Sequence, residues 1–313
     1  MRAKIMLLPG NDIGERLCAI ADEVLTDVAV AFGHTFSLMR EKIGESSIRA
    51  YDTPLTEETV NACLMADAVL LGDTDCAGAD TLLQALEIPY RMRTFALKGN
   101  GRNCFYLLMT TDTDAATIGG TMQKAFELAK LEDMPLSLVC PSGKSALDFR
   151  AALRVRESDF PTVRATELMP PKAVDILVHT PDTLGVFVVP PYAGSMLCAM
   201  ATALHGAPMM LFDACEGKNA AVFAPVVSLD ARADDEINPM GMVFSVARLL
   251  RDALSLEREA DCVEAAVNNV LAAGWRTPDM FGAKETIGTY KMLQLISDQI
   301  NLAGEFLTPH GGK

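Results

Sequence analysis

Hydrophobic and polar positions along the chain trade between two patterns. Residues 4–10, KIMLLPG, form a short apolar run that stops at Pro9 and Gly10. Residues 15–33 then repeat apolar positions at helical spacing up to Gly33, so a strand leads into a helix. The alternation returns: residues 56–66 read as helix, 67–73 as strand, 122–133 as helix and 134–140 as a buried strand. Residues 144–158 make a helix, 174–180 and 184–191 are two more apolar runs, and 195–206 make a helix with almost no polar face. A helix that is apolar all round belongs in a core or a subunit interface. The last third is mostly helical, over 242–255, 257–274 and 284–303. This order predicts an α/β fold around a mostly parallel sheet with flanking helices.

Length and composition narrow the class. With 313 residues, half of them hydrophobic, the chain can bury a substantial core in one large or two ordinary domains. No apolar run approaches the roughly 20 residues of a membrane-spanning helix, and the opening apolar run is too short for a signal peptide, so a cytoplasmic location is expected. The eight cysteines stand apart without a CxxC pair and read as reduced core residues. A net charge of −14 opposes binding to nucleic acid or anionic membrane.

Several segments carry a resemblance. Leu7–Gly14 reads LLPGNDIG, similar to an LPGDGIG opening, and Thr53–Gly72 reads TPLTEETVNACLMADAVLLG, similar to TPLPEETL…ADAVLLG. AFELAK at Ala125–Lys130, INP at Ile237–Pro239 and AGWRTPDM at Ala273–Met280 follow in the same order. Together they resemble the isopropylmalate/isocitrate dehydrogenases, which are β-decarboxylating enzymes, over nearly the whole chain. The resemblance implies an isopropylmalate-dehydrogenase-like fold with two domains around a cleft. Residues 1–98 and 207–313 would form a larger domain with both termini, and 99–206 a second, dimer-forming domain. The family uses NAD or NADP with Mg²⁺ or Mn²⁺, at a site partly completed by the neighbouring subunit.

Matched residue by residue, much of that chemistry has no counterpart. The ion needs hard oxygen ligands, which the family supplies from NLFGDILSDEAAMLTG; here the stretch is PYAGSMLCAMATALHG, which keeps Gly194 but puts Ser195 and Ala199 at the two aspartates. The third aspartate falls on Pro171, or on Asp175 with a gap. No metal site is therefore expected. The family lysine falls on Pro141, three residues before Lys144, and the place of the tyrosine arm is taken by TTDTDAATIGG at Thr110–Gly120. Tyr106 lies in an apolar strand and reads as core. Of the arginines that would grip substrate carboxylates, one matches Arg93, with Arg91 beside it; another falls on Met109. In the dinucleotide loop the family glutamate and histidine become Ala224 and Val227, and Asp230, Asp234, Asp235 and Glu236 stand where a pyrophosphate would approach. Asn238 and Asp279 match positions near the adenosine, although Asn238 equally suits a cap for the helix after Pro239.

Other features bear on chemistry outside the resemblance. Gly143, Lys144 and Ser145 open a helix, where anions are favoured, but the loop glycine of a P-loop is absent at Leu138. His34, His179, His205 and His310 show no ligand spacing. Asp73, Asp75 and Asp80 suit a solvated turn. The sequence thus predicts a diverged family member without the standard reaction: a pseudoenzyme, a partner subunit of a catalytic paralogue, or a small-acid binder, most simply a homodimer. The alternative is an active NAD(P)-linked dehydrogenase of a 2-hydroxy acid whose rebuilt cleft uses Arg93, Lys144 and Ser195.

Overall fold

A computed structural model describes residues 1–96, 104–140, 143, 145–205, 211–226, 237–280 and 282–307. The chain divides into two compact units, Met1–Leu82 with Pro208–Ala214 and Asn219–Lys313, and Leu83–Ala207 with Cys215–Lys218.

The first unit opens with β1 (Arg2–Leu8), α1 (Asp12–Phe32), β2 (Thr35–Arg40), the short helices α2 (Glu45–Tyr51) and α3 (Glu57–Leu64), and β3 (Ala68–Leu71). β1 lies between β2 and β3, parallel to both. Asn11 caps α1 by accepting from the Gly14 amide at 2.8 Å, and Gly33 ends it in the left-handed conformation at φ 72°. The helix lies against the strands so closely that a Cβ on Gly14 would sit 1.7 Å from the Pro9 carbonyl oxygen, and one on Gly72 would sit 2.7 Å from Gly14 Cα. Only glycine permits that approach.

The next helix, α4 (Ala79–Ala85), leads into the second unit: β4 (Tyr90–Ala96), β5 (Cys104–Thr110), α5 (Ala115–Leu131), β6 (Leu136–Val139), α6 (Ser145–Asp159), β7 (Ala165–Leu168), α7 (Pro170–His179), β8 (Val186–Val189) and α8 (Pro191–His205). β4 pairs antiparallel with β5; β5, β8, β6 and β7 continue in parallel. The apolar run at 174–180 is not extended: it falls in α7, with Ala173 and Leu177 buried and Pro170 at the first turn, where a missing N–H costs nothing. The helix expected over 122–133 starts earlier, at Ala115, because Asp114 caps it through the Ala116 and Thr117 amides at 2.8 and 3.1 Å.

β9 (Phe212–Glu216) and β10 (Ala221–Pro225) follow, then α9 (Met240–Asp252), α10 (Glu257–Ala273), the two-residue strands β11 (Trp275–Arg276) and β12 (Glu285–Thr286), and α11 (Thr289–Leu307). β10 returns to the first unit and pairs parallel with β3. The helix expected over 284–303 begins later, since Glu285 and Thr286 pair with β11. Its core gathers Ile5, Leu7, Leu17, Leu25, Phe223, Val246 and Ile296, all essentially without solvent contact. Parallel strands covered on both faces read as continuous apolar runs, as AVLL of β3 does. Among the described residues, no helix is long and apolar enough to cross a membrane.

All eight cysteines are free, and Cys18, Cys63, Cys140, Cys198 and Cys215 are buried. Burial pushes the Cys18 and Cys63 thiols up to about 12, against the opposing pull of Arg40 on Cys18 and with the help of Glu41 at Cys63. They are inert packing groups.

Candidate functional site

In the second unit, strand alternation sorts the site residues by face. Arg91 stands opposite Met109 and Arg93 opposite Leu107 in the β4–β5 ladder, so these four side chains share one face. Phe95 and Phe105 stack on that face at 4.9 Å between centroids. Tyr106 points the other way and is buried, as a core residue would be.

Helix α8 docks on the Met109 face. A Cβ on Gly194 would lie 2.6 Å from Met109 Cγ and Sδ and 2.8 Å from Val189 Cγ2, so the retained glycine is needed for this packing alone. The next residue, Ser195, directs its hydroxyl to the Pro191 carbonyl at 3.1 Å and lies 3.8 Å from Met109 Sδ. Two positions to which the resemblance assigns an arginine and an aspartate therefore meet, and they hold a thioether and a hydroxyl already used by its own helix. Neither is a hard anionic ligand. Ala199, at the second aspartate, offers no ligand. Pro171 opens α7, and Asp175 pairs with Lys172 at 2.6 Å and His179 at 3.1 Å, which hold its carboxyl below the usual carboxylate range, the Lys172 hydrogen bond most of all. These residues do not fit Mg²⁺ or Mn²⁺, and among the described residues no group of three His, Cys, Asp or Glu could hold a metal.

The remaining expectations scatter. Lys144, Pro141, Val227 and the acidic run Asp230, Asp234, Asp235 and Glu236 lie outside the described residues, as does His310. Arg91 and Arg93 are half-buried on the α8 face. His179 is on the exposed end of α7, whereas His34 Nε2 donates to Glu259 Oε1 at 2.8 Å, with Phe32 and Phe36 beside its ring. Asp75 and Asp80 are exposed, but Asp73 is not the solvated turn residue it was expected to be. It is 6% exposed and accepts from the Asn11 amide group and from the Asp75 backbone at 2.9 Å. At the end of β3 a carboxylate can be buried when donors surround it.

Asn238 and Asp279 are brought together in the first unit. Asn238 is 1% exposed; its amide donates to Asp279 Oδ2 at 3.1 Å and its oxygen accepts from the Met240 amide at 3.0 Å. Asp279 also accepts from Thr277 Oγ1 at 2.5 Å. The Asn238 oxygen thus helps to start α9 while its nitrogen holds Asp279, whose side chain is exposed.

A recess of about 980 Å³ opens beside the start of β4 and the end of β5, walled by Ile88, Pro89, Tyr90, Thr111, Gly120 and Lys124 among others. Tyr90 Oη donates to Glu216 Oε2 at 3.1 Å, and Lys124 Nζ reaches the same oxygen at 2.6 Å. No motif marks it; its residues come from three distant segments.

A sequence profile described as isocitrate/isopropylmalate dehydrogenase matches residues 4–105 and 122–296. The unmatched interval between them, residues 106–121, contains the whole of Thr110–Gly120, where the tyrosine arm is missing. The 3-isopropylmalate dehydrogenase of Nitratidesulfovibrio vulgaris is 28% identical, covering 96% of this chain and 100% of its own. That of Bacillus subtilis is 26% identical, covering 97% of each. The first alignment runs over 359 positions against 313 residues here, so the relative carries stretches that this chain lacks. Among solved structures, isocitrate dehydrogenase from Methylococcus capsulatus superposes with a TM-score of 0.83 at 19% identity, over 96% of this chain and 99% of that one. A β-decarboxylating dehydrogenase from Thermococcus kodakarensis gives 0.74 at 21%, over 98% and 99%.

Proposed function

This chain belongs to the isocitrate/isopropylmalate dehydrogenase family, and on that premise we propose that it is a non-catalytic member that binds a small organic acid without the metal- and NAD-dependent oxidative decarboxylation. The observation that carries the proposal is the contact between Met109 and Ser195. The family reaction leaves negative charge on an enolate, which a divalent ion or a cationic group must stabilise as it develops. A thioether packed on a glycine and a hydroxyl bonded to its own helix supply neither. Arg91 and Arg93, on the same face, supply the positive charge for a carboxylate.

Assembly is part of the proposal. Met169 just before α7, Val178 on α7 and Met196 and Leu204 on α8 are each more than 40% exposed. Four large apolar side chains on or beside adjacent helices favour a homodimer over a lone chain in water. A catalytic paralogue would use the same surface.

Purified protein supplied with NAD or NADP, Mg²⁺ or Mn²⁺, and isopropylmalate, isocitrate, tartrate or malate is expected to show no reduced nucleotide above the blank. Thermal unfolding is expected to shift with a dicarboxylic acid alone, by about 2.7 kcal/mol at 100 times its Kd. Metal-dependent turnover would overturn the proposal. It would favour the second reading, an active dehydrogenase with a rebuilt site, which the full-length match to named dehydrogenases supports.

A further inference from the structure

We draw no further inference here: the strongest candidate, the recess beside the start of β4 and the end of β5, is an acidic surface cluster over the buried side chains of Ile88 and Tyr90, and among the described residues nothing else points to a ligand there.

Discussion

The N-terminal turns of α1 and α8 are built alike and filled differently. In each, a glycine lets the helix settle onto strand residues: Gly14 against Pro9 and Gly72, Gly194 against Met109 and Val189. Around Gly14 the family-like LLPGNDIG segment survives, and its neighbours form a polar clasp in which Asn11 joins the Gly14 amide to the buried Asp73 carboxylate. Around Gly194 the glycine survives while a thioether and a helix-bound hydroxyl replace charged groups. A retained glycine therefore reports a packing requirement and says nothing about whether the chemistry beside it is intact.

The largest expected effect separates the two turns directly. Gly14→Ala would drive a methyl into a backbone oxygen at 1.7 Å, and no rotamer relieves that. A loss of about 3 kcal/mol or more is expected in urea unfolding. Gly194→Ala meets the flexible end of Met109 at 2.6 Å, which can move, and is expected to cost about 1–2 kcal/mol. Equal losses would break the comparison.

Asn11→Asp, which restores the residue of the resembling motif, would place two carboxylates in hydrogen-bond contact. The like charges raise the folded-state pKa of one of them above its unfolded value. The penalty, about 2–3 kcal/mol near neutral pH, is then present above that raised value and disappears as pH falls through it, because the proton neutralises one partner. A stability profile against pH reads this, and Asp73→Asn in the same chain should remove most of the pH dependence. A loss that does not change with pH would assign the effect to sterics.

On the α8 side, combining Met109→Arg with Ser195→Asp restores the resemblance at two positions but supplies one of three metal carboxylates. No metal-dependent turnover is expected, with a stability cost of about 2 kcal/mol from overpacking at Gly194. Appearance of turnover would mean that these two residues alone withhold the reaction.

The cap of α5 gives a smaller effect. Asp114→Ala removes acceptors for two amides and the Thr117 hydroxyl, worth about 1 kcal/mol. The Thr117 side-chain hydrogen bond, its largest cause, holds the Asp114 carboxyl below its ordinary 3.8. That contribution is present above the unfolded value and lost as pH falls through the depressed one; solvent screening keeps it small. Ser195→Ala, which loses one bond to the Pro191 carbonyl, should change stability by less than about 0.5 kcal/mol.

Legibility followed sequence distance. The strand at 67–73, the helix ending at Gly33 and the buried strand at 134–140 were all readable, because burial imposes a local period. The run at 174–180 was not: a short apolar stretch has no period of its own, and Pro170 together with the β8 strand beyond it makes it a helix. Tyr106 as core followed from local pattern, and the bond from Asn238 to the Met240 amide agrees with one of the two readings its position allowed. The burial of Asp73 is not legible locally because its side-chain donor, Asn11, lies 62 residues away.

From sequence alone came the family, the α/β class and the list of positions whose chemistry differs from the resembling motifs, since each is a matter of residue identity in order along the chain. Tertiary structure decided that Met109 and Ser195 touch, that Asp73 is buried and that Tyr90, Lys124 and Glu216 share one recess. These depend on which strand faces which helix, and that is settled by packing between segments that the linear order keeps far apart.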